Sequence, residues 1–266
     1  MTDERPALAP PVRRLTDRLL DVLVWGGLIV LLLASFGPAE INKLPLLFSN
    51  AGNMREFSSG LLKPDFELWP LYVAQMWLTV QIALWGTGLA VLIAIPFGLL
   101  CARNITPIWI QQPTRRLMDL MRSVPDLVLG TIFIVAVGLG PFAGVMALAI
   151  NTGAVLAKLF SEAVEAIDPR PVEGVRATGA TRLQEIVWGV IPQVGPLWTS
   201  YALYRFESNA RSATVLGLIG AGGIGQTLFD SINGFQYRQT SAVCIVIVAA
   251  VTLIDLLSQA IRQRLI

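Results

Sequence analysis

Three charges interrupt an otherwise apolar region in the stretch Tyr204-Arg205-Phe206-Glu207-Ser208-Asn209-Ala210-Arg211. The flanking segments, 194–201 and 213–219, are apolar enough to lie in a membrane. A charge at the centre of a membrane helix costs roughly 2.5–3.5 kcal/mol on insertion scales, so such residues usually face a bundle interior or a water-filled path. Two arginines and one glutamate leave one net positive charge. That combination suits a path for an anion.

The composition identifies the broad class of the chain. Of its 266 residues, 54% are hydrophobic and 14% are charged, with a mean hydropathy of +0.63. Soluble domains carry about 25% charged residues, so we expect an all-α, polytopic bundle of membrane helices. Histidine is absent, which removes the commonest general base and metal ligand. We therefore predict no catalytic residue and no metal site. The positive residues are spread along the chain, which gives no reason to expect nucleic acid.

Six segments are candidate spans, since a span needs about 20 mostly apolar residues: 19–37, 71–101, 124–140, 141–160, 193–219 and 240–261. Of the 20 Lys and Arg residues, fourteen flank one side of these spans, four flank the other, and the last two are Arg205 and Arg211. The positive-inside rule then places both termini in the cytoplasm. The predicted organisation is a cytoplasmic tail over 1–18, a retained first transmembrane helix over 19–37, an external loop over 38–70, and a core over 71–266 with a cytoplasmic loop at 161–192.

The cytoplasmic loop has the pattern of a docking element. Pro169 and Pro171 are expected to split it into two short helical stretches, and Gly179 permits the left-handed conformation that ends a helix. A compact helix-turn-helix that projects from a membrane domain can fit a groove on a partner protein. The alternative is a solvated connector.

The loop resembles the EAA loop of permease subunits of ATP-binding-cassette (ABC) importers in the spacing of Glu173, Gly179 and Pro192. It departs from that motif at four positions: Gly174, Val175, Gly189 and Ile191. The resemblance implies that roughly 172–182 is the coupling helix that inserts into a cleft of an ATPase subunit. The residues expected to make that contact are Glu173, Ala177, Thr178, Gly179 and Arg182.

The chain is also similar to phosphonate-type permeases over three stretches: 202–225, Arg122-Ser123-Val124-Pro125-Asp126, and Gly138-Leu139-Gly140-Pro141-Phe142-Ala143-Gly144. The resemblance implies a homodimer in the bacterial inner membrane, two ATPase subunits on the cytoplasmic side and an external substrate-binding protein. The implied cargo is phosphonate or a related phosphorus oxyanion such as phosphate or phosphite. Transport would proceed by alternating access, with ATP and Mg²⁺ bound by the partner ATPase and no cofactor bound by this chain.

The charged helix allows a hypothesis for the path. At 100° per residue, one face carries Tyr201, Arg205, Ser208, Asn209 and Ser212. Glu207 and Arg211 have the i,i+4 spacing, with the acid first, that favours an ion pair. We therefore expect Arg205 to meet the anion with the hydroxyl and amide groups beside it. The alternative is that both arginines only fasten the bundle, as polar residues do in membranes. Hydrogen bonds to neighbouring helices are expected for Gln81, Asn151 and Asp255.

The run Gly220-Ala221-Gly222-Gly223-Ile224-Gly225 fits the letters of a dinucleotide-binding motif, but that motif needs a preceding strand. Here a predicted span precedes it, so we expect Gly220, Gly222, Gly223 and Gly225 to form a sharp external turn. A P-loop motif is absent from the sequence, and ATP hydrolysis is therefore assigned to a partner.

Two other functions compete with this interpretation. A permease for methionine-like solutes has a similar glycine-rich segment, but the two arginines argue against a largely apolar cargo. A membrane enzyme acting on lipid phosphate would need a nucleophile and an acid–base pair, and the absence of histidine argues against it.

Overall fold

The computed structural model describes residues 15–49 and 51–265, and within those ranges the chain is helical, without strands. The helices are α1 Leu15–Ser35, α2 Leu46–Ser49, α3 Ala51–Leu61, α4 Trp69–Cys101, α5 Ile108–Ser123, α6 Asp126–Val137, α7 Pro141–Glu165, α8 Pro169–Ala177, α9 Arg182–Gln184, α10 Ile191–Gly217, α11 Ile224–Asn233 and α12 Tyr237–Leu265. A 3-10 turn covers Ile41–Lys43, and a π-helical turn, Glu185–Val190, joins α9 to α10.

The chain divides into two units, Met1–Ser58 and Ser59–Ile266. In the first unit, α1 exposes its apolar side chains along its length, for example Leu23 at 72% and Leu33 at 70%, as a helix surrounded by lipid would. The predicted first span therefore corresponds to a helix. The segment predicted as an external loop contains the 3-10 turn, α2 and α3. Most of the predicted N-terminal tail, residues 1–14, lies outside the described residues.

The second unit is built on the packing of α4 against α7. Helices in membranes associate through small residues that let backbones approach closely. Gly86 and Gly98 in α4 serve this purpose, because a Cβ atom at either would lie 2.8 Å from a Cβ of α7, that of Leu148 or Phe160 respectively. α7 is the central helix, and its buried positions include Ala147, Leu156 and many other small or apolar residues.

Among the described residues, three helices are long and apolar enough to cross a membrane: Trp69–Cys101, Pro141–Glu165 and Tyr237–Arg264. A fourth crossing results if α5 and α6, which meet at an angle of 88°, are counted as one broken span. α10 has 27 residues, long enough to cross, but it carries the three charges identified in the sequence. The count of six spans and the position of the termini remain predictions.

The prediction of a separate full span at 124–140 was wrong. α6 has only 12 residues, about 18 Å of helix, against a hydrocarbon core of about 30 Å. The break lies at Val124, which is extended with φ −83° and ψ 120°. The residue before a proline disfavours the helical region, and Pro125 supplies that constraint. The break places Asp126 at the first position of α6.

The loop predicted at 161–192 is shorter and more helical than expected. α7 continues to Glu165, and the two prolines begin α8 instead of splitting the loop. The Asp168 side chain caps α8 by accepting from the Arg170 N–H at 3.0 Å. Gly179 has φ +80°, the expected helix-ending conformation. The second predicted stretch is continuous with α10 through the π-helical turn.

The glycine-rich segment turns the chain between α10 and α11. Gly220, Gly222 and Gly223 have positive φ values of 99°, 75° and 77°, which glycine adopts at little cost. At Gly225 an added Cβ would collide with the carbonyl oxygen of Thr214. The turn is therefore sharp and closely packed, and its place on the external side of the membrane stays a prediction.

Candidate translocation pathway and coupling surface

The charges of α10 belong to an ion-pair network with α12. Glu207 accepts from Arg211 Nη2 at 3.1 Å and from Arg262 Nη2 at 3.2 Å. Arg211 also donates Nη1 to both carboxylate oxygens of Asp255 at 3.2 Å. The Arg262 guanidinium lies 6.0 Å from the ring centroid of Tyr204. Two acids and two bases balance, so this network carries no net charge.

The network confirms one expectation and adds two partners. The Glu207–Arg211 pair forms as the i,i+4 spacing predicted. Asp255 contacts a neighbouring helix, as expected. The Asn151 amide instead donates to the Val124 carbonyl at 2.8 Å, in the break between α5 and α6. The sequence did not indicate that Arg262 belongs to this network, because a basic residue near the end of a span is typical of the positive-inside pattern. No periodicity in the sequence could have joined it to a residue 55 positions away.

Arg205 is the end of a directed chain of hydrogen bonds. Its Nη2 donates to Thr152 Oγ1 at 3.3 Å, that hydroxyl donates to Asn209 Oδ1 at 2.8 Å, and Asn209 Nδ2 donates to Thr87 Oγ1 at 2.9 Å. The Thr87 hydroxyl in turn donates to the Ala83 carbonyl at 2.7 Å. The chain crosses α10, α7 and α4, and it orients the guanidinium group.

Asn209 therefore occupies a different position from the one predicted. It is fully buried, with 0% of its surface exposed, and its oxygen and its nitrogen are both engaged by other helices. The sequence placed it among the donors that face the path, since it lies one turn after Arg205. Thr87 and Thr152, which engage it, carried no signal in the sequence beyond being polar residues in apolar runs.

Two buried atoms near this chain lack partners among the described residues. They are Arg205 Nε, a donor, and Asp126 Oδ1, an acceptor. Asp126 is close enough to act electrostatically on the Arg205 guanidinium, yet no ion pair joins the two within the described ranges. A buried polar group without a partner is costly, and such groups in native proteins call for an explanation.

A cleft of about 370 Å³ opens between the start of α6 and one face of α10. Its polar lining comes from four residues, Asp126, Ser208, Arg211 and Ser212, and its apolar lining from Pro125, Leu127, Val215 and Leu216. Ser208 and Ser212 thus lie together, as predicted for one helix face. Arg205 lies three residues before Ser208, about one helical turn away, and the described lining of the cleft does not include it.

The segment predicted to couple with an ATPase is held by an internal ion pair. Arg176 Nε and Nη2 each donate to a different oxygen of Glu185 at 2.9 Å, which ties α8 to the π-helical turn. The hydrogen bonds from Arg176 lower the pKa of the Glu185 carboxyl. The same bonds, with the charge of Glu185, raise the pKa of Arg176. Gly189 lies against α8, and a Cβ atom added at this position would be 3.0 Å from Val172 Cα. This close approach explains why glycine stands here instead of the residue typical of the motif.

The surface of this segment is open. Glu173, Ala177, Thr178, Gly179 and Arg182 are all exposed, and Leu183 and Trp188 are 71% and 70% exposed. Arg182 donates Nη2 to the Ile105 carbonyl, which holds the segment beside the α4–α5 connection. Rigid backbone with exposed apolar side chains is the arrangement that a docking element needs.

Comparison with known proteins identifies the family. Residues 94–266 match the binding-protein-dependent transport system inner membrane component. The chain belongs to that family. This permease is a multi-pass protein of the bacterial inner membrane and a transport subunit, so the membrane-enzyme alternative is set aside.

Three relatives of the permease have names that concern phosphorus oxyanions. The phosphite transport system permease protein PtxC of Stutzerimonas stutzeri is 38% identical over 84% of this chain and 79% of its own length. The phosphate-import permease protein PhnE of Mycolicibacterium smegmatis is 37% identical over 98% of this chain, which spans 49% of that protein. The putative cryptic phosphonate transport system permease protein PhnE2 of Escherichia coli is 61% identical over 46% of this chain and 99% of its own length.

A solved structure shares the fold of the permease. The inward-facing MetNI methionine ABC transporter matches with a TM-score of 0.67 and 22% identity, over 75% of this chain and 99% of that one. At that identity the likeness concerns the fold alone.

Proposed function

We propose that the permease carries phosphonate or a related phosphorus oxyanion, phosphate or phosphite, through a path lined by Arg205 and the cleft beside it. The relatives named for phosphonate, phosphite and phosphate transport support this cargo class. The observation that carries the proposal within this chain is that the buried Arg205 Nε and the buried Asp126 Oδ1 both lack hydrogen-bond partners among the described residues, while the charge of Asp126 acts on the Arg205 guanidinium.

Arg205 Nε lacks an acceptor and Asp126 Oδ1 lacks a donor, and one ligand supplies both. The ionised oxygens of a phosphorus oxyanion accept from a guanidinium, whose planar fork suits them. A hydrogen-bearing oxyanion also offers a P–OH group, which donates to a carboxylate such as Asp126. Ser208 and Ser212 line the same cleft and supply neutral hydroxyls. The neutral network around Glu207 leaves Arg205 as the cation that attracts the cargo.

The proposed assembly is a homodimer that encloses one central path, with two ATPase subunits on the cytoplasmic side and an external substrate-binding protein. ATP and Mg²⁺ bind to the ATPase. The α8 segment, held by the Arg176–Glu185 pair, transmits closure of the ATPase subunits to α10, because the π-helical turn continues directly into that helix. Movement of α10 carries Arg205 and the cleft from outward to inward exposure.

The test compares Arg205→Ala with Arg205→Lys and with Arg264→Ala, an exposed arginine near the end of α12. Uptake of a radiolabelled phosphonate is measured in cells that express the complete transporter. Losing a charged hydrogen bond costs roughly 1.5–3 kcal/mol, so Arg205→Ala should lower uptake about 10- to 100-fold. Arg205→Lys should retain part of it and Arg264→Ala nearly all. Full uptake by Arg205→Ala, with the complex assembled, refutes the proposed path.

A methionine-like cargo is the second candidate, supported by the methionine import system permease protein MetP of Bacillus subtilis, 29% identical over 45% of this chain. A half-buried cation in the proposed path, Arg205, favours an anion over that cargo. Titration of the cognate binding protein with phosphonate and with methionine separates the two.

A further inference from the structure

A basic pocket lies where α4 and α7 reach their C-terminal ends and α5 packs across them. It has a volume of about 180 Å³, against roughly 30 Å³ for one water in the liquid. It therefore has room for a single phosphate group with a few waters. The pocket is separate from the cleft between α6 and α10, and the two share none of their described lining residues.

Cations outnumber acids in this pocket. Its charged lining residues are Arg103, Arg115, Arg116, Lys158 and Asp119. The single acid is already engaged, because Asp119 Oδ1 lies 2.9 Å from Arg122 and 4.0 Å from Lys158.

Of the three arginines, Arg115 alone uses its side chain to bond other described residues. Arg115 donates Nε to the Cys101 carbonyl at 2.9 Å, at the end of α4, and Nη2 to Glu165 at 2.6 Å, at the end of α7. These bonds pair a carbonyl at the end of α4 and a carboxylate at the end of α7, and they fix the position of the Arg115 side chain. Arg103 uses only its backbone N–H, which donates to Glu165 at 2.8 Å. The side chains of Arg103 and Arg116 form no hydrogen bond or ion pair with the other described residues.

The pocket adjoins an amphipathic helix. α5 combines its arginines with exposed apolar side chains, among them Ile108 at 70% and Trp109 at 72%. A basic helix with an exposed tryptophan and aliphatic residues is typical of the interface between membrane and water. A helix of this kind holds its basic side chains at the level of the phosphate headgroups.

We propose that this pocket binds a phosphate-type oxyanion, supplied either by the headgroup of an anionic phospholipid or by free inorganic phosphate. Arg103 and Arg116 contact the phosphate oxygens, and Arg115 holds the floor of the pocket through its bonds to α4 and α7. Guanidinium groups bind phosphate bidentately, and basic pockets between membrane helices favour anionic headgroups. The proposal does not depend on the identity of the transported cargo.

The experiment uses the purified transporter complex in zwitterionic detergent, titrated separately with a short-chain phosphatidylglycerol, with short-chain phosphatidylcholine and with inorganic phosphate. The variants are Arg103→Gln/Arg116→Gln and, as a matched control, Arg170→Gln/Arg264→Gln. Saturable binding is measured by calorimetry, and the melting temperature of each variant is compared with that of the wild type. Each basic residue contributes about fivefold to binding of an anionic lipid surface, so the pocket variant should bind roughly 25-fold more weakly and the control should not change.

Each outcome decides the question. Binding of phosphatidylglycerol with little effect of phosphate identifies the headgroup as the ligand, and equally tight binding of phosphate identifies the free ion. Phosphatidylglycerol binding that is equal in the wild type and the pocket variant overturns the proposal. If the double variant fails to fold, the single variants Arg103→Gln and Arg116→Gln, each expected to bind about fivefold more weakly, decide in its place, and absence of saturable binding of either anion to the wild type also overturns the proposal.

Discussion

Removing the amide of Asn209 should weaken both the fold and the orientation of Arg205. Asn209→Leu keeps a similar volume and deletes the bonds to Thr152 and Thr87. Hydrogen bonds between membrane helices contribute about 0.6 kcal/mol on average and up to roughly 1.7. Two bonds therefore predict a loss of about 1–3 kcal/mol of unfolding free energy. The matched control, Asn233→Leu, changes an exposed asparagine at the end of α11 and should shift it by less than about 0.5 kcal/mol.

The assay is reversible unfolding in mixed micelles, and a double-mutant cycle with Thr152→Val isolates the bond itself. The two substitutions should couple by about 0.5–1.5 kcal/mol, since each removes one partner of the same bond. Phosphonate uptake should fall more than stability alone explains, because Thr152 also receives the Arg205 bond. Strict additivity in the cycle, or a loss equal to that of Asn233→Leu, would refute the hydrogen-bond chain as described.

Three further predictions concern the turn, the coupling segment and the charge network. Gly225→Ala should lower the free energy of unfolding by about 1–3 kcal/mol, because the added methyl group overpacks the turn. Gly195→Ala has open space around it and should be neutral or stabilise α10 by roughly 0.5–1 kcal/mol. Comparable melting temperatures for the two variants would contradict this. The folded-state pKa of Glu185 is lowered, so its pair with Arg176 stabilises the fold at pH values above the unfolded-state pKa of about 4.3. This stabilisation is lost as the pH falls through the folded-state pKa. The difference in melting temperature between the wild type and Arg176→Ala should therefore disappear on acidification, and a constant difference counts against the pair. Glu207→Gln should cost about 1–3 kcal/mol, discounted for the exposure of its arginine partners, and unaltered micelle unfolding would show that the network does not stabilise the fold.

The α10–α12 network bears on how the charged helix should be interpreted. Its four charges cancel, and its partners come from two helices that the sequence places far apart. Arg211 contacts Glu207 and Asp255, as the bundle-fastening alternative predicts, and because it also lines the cleft its place in the path stays a prediction. Arg205 differs, because its only described side-chain partner is a hydroxyl.

The sequence alone determined the class of the protein and its local structure. Hydrophobic length and low charge specify membrane helices whatever their neighbours, so five of the six predicted segments correspond to long helices, whereas 124–140 does not and α5 and α11 were not predicted. The i,i+4 spacing fixed the Glu207–Arg211 pair, and Gly179 ended its helix, because both features depend only on residues within one turn. The motif around the coupling segment indicated the family that the match over residues 94–266 confirmed.

Only the tertiary structure decided what the polar residues do. Asn209 moved from the predicted path to a buried link between three helices, since its partners Thr87 and Thr152 come from distant parts of the chain. Asp126 became a candidate site residue only in the structure, because Pro125 breaks the span and places that carboxylate beside α10. Helical periodicity gives the direction of a side chain around its own axis, whereas the packing of α4, α7, α10 and α12 decides which groups it meets there.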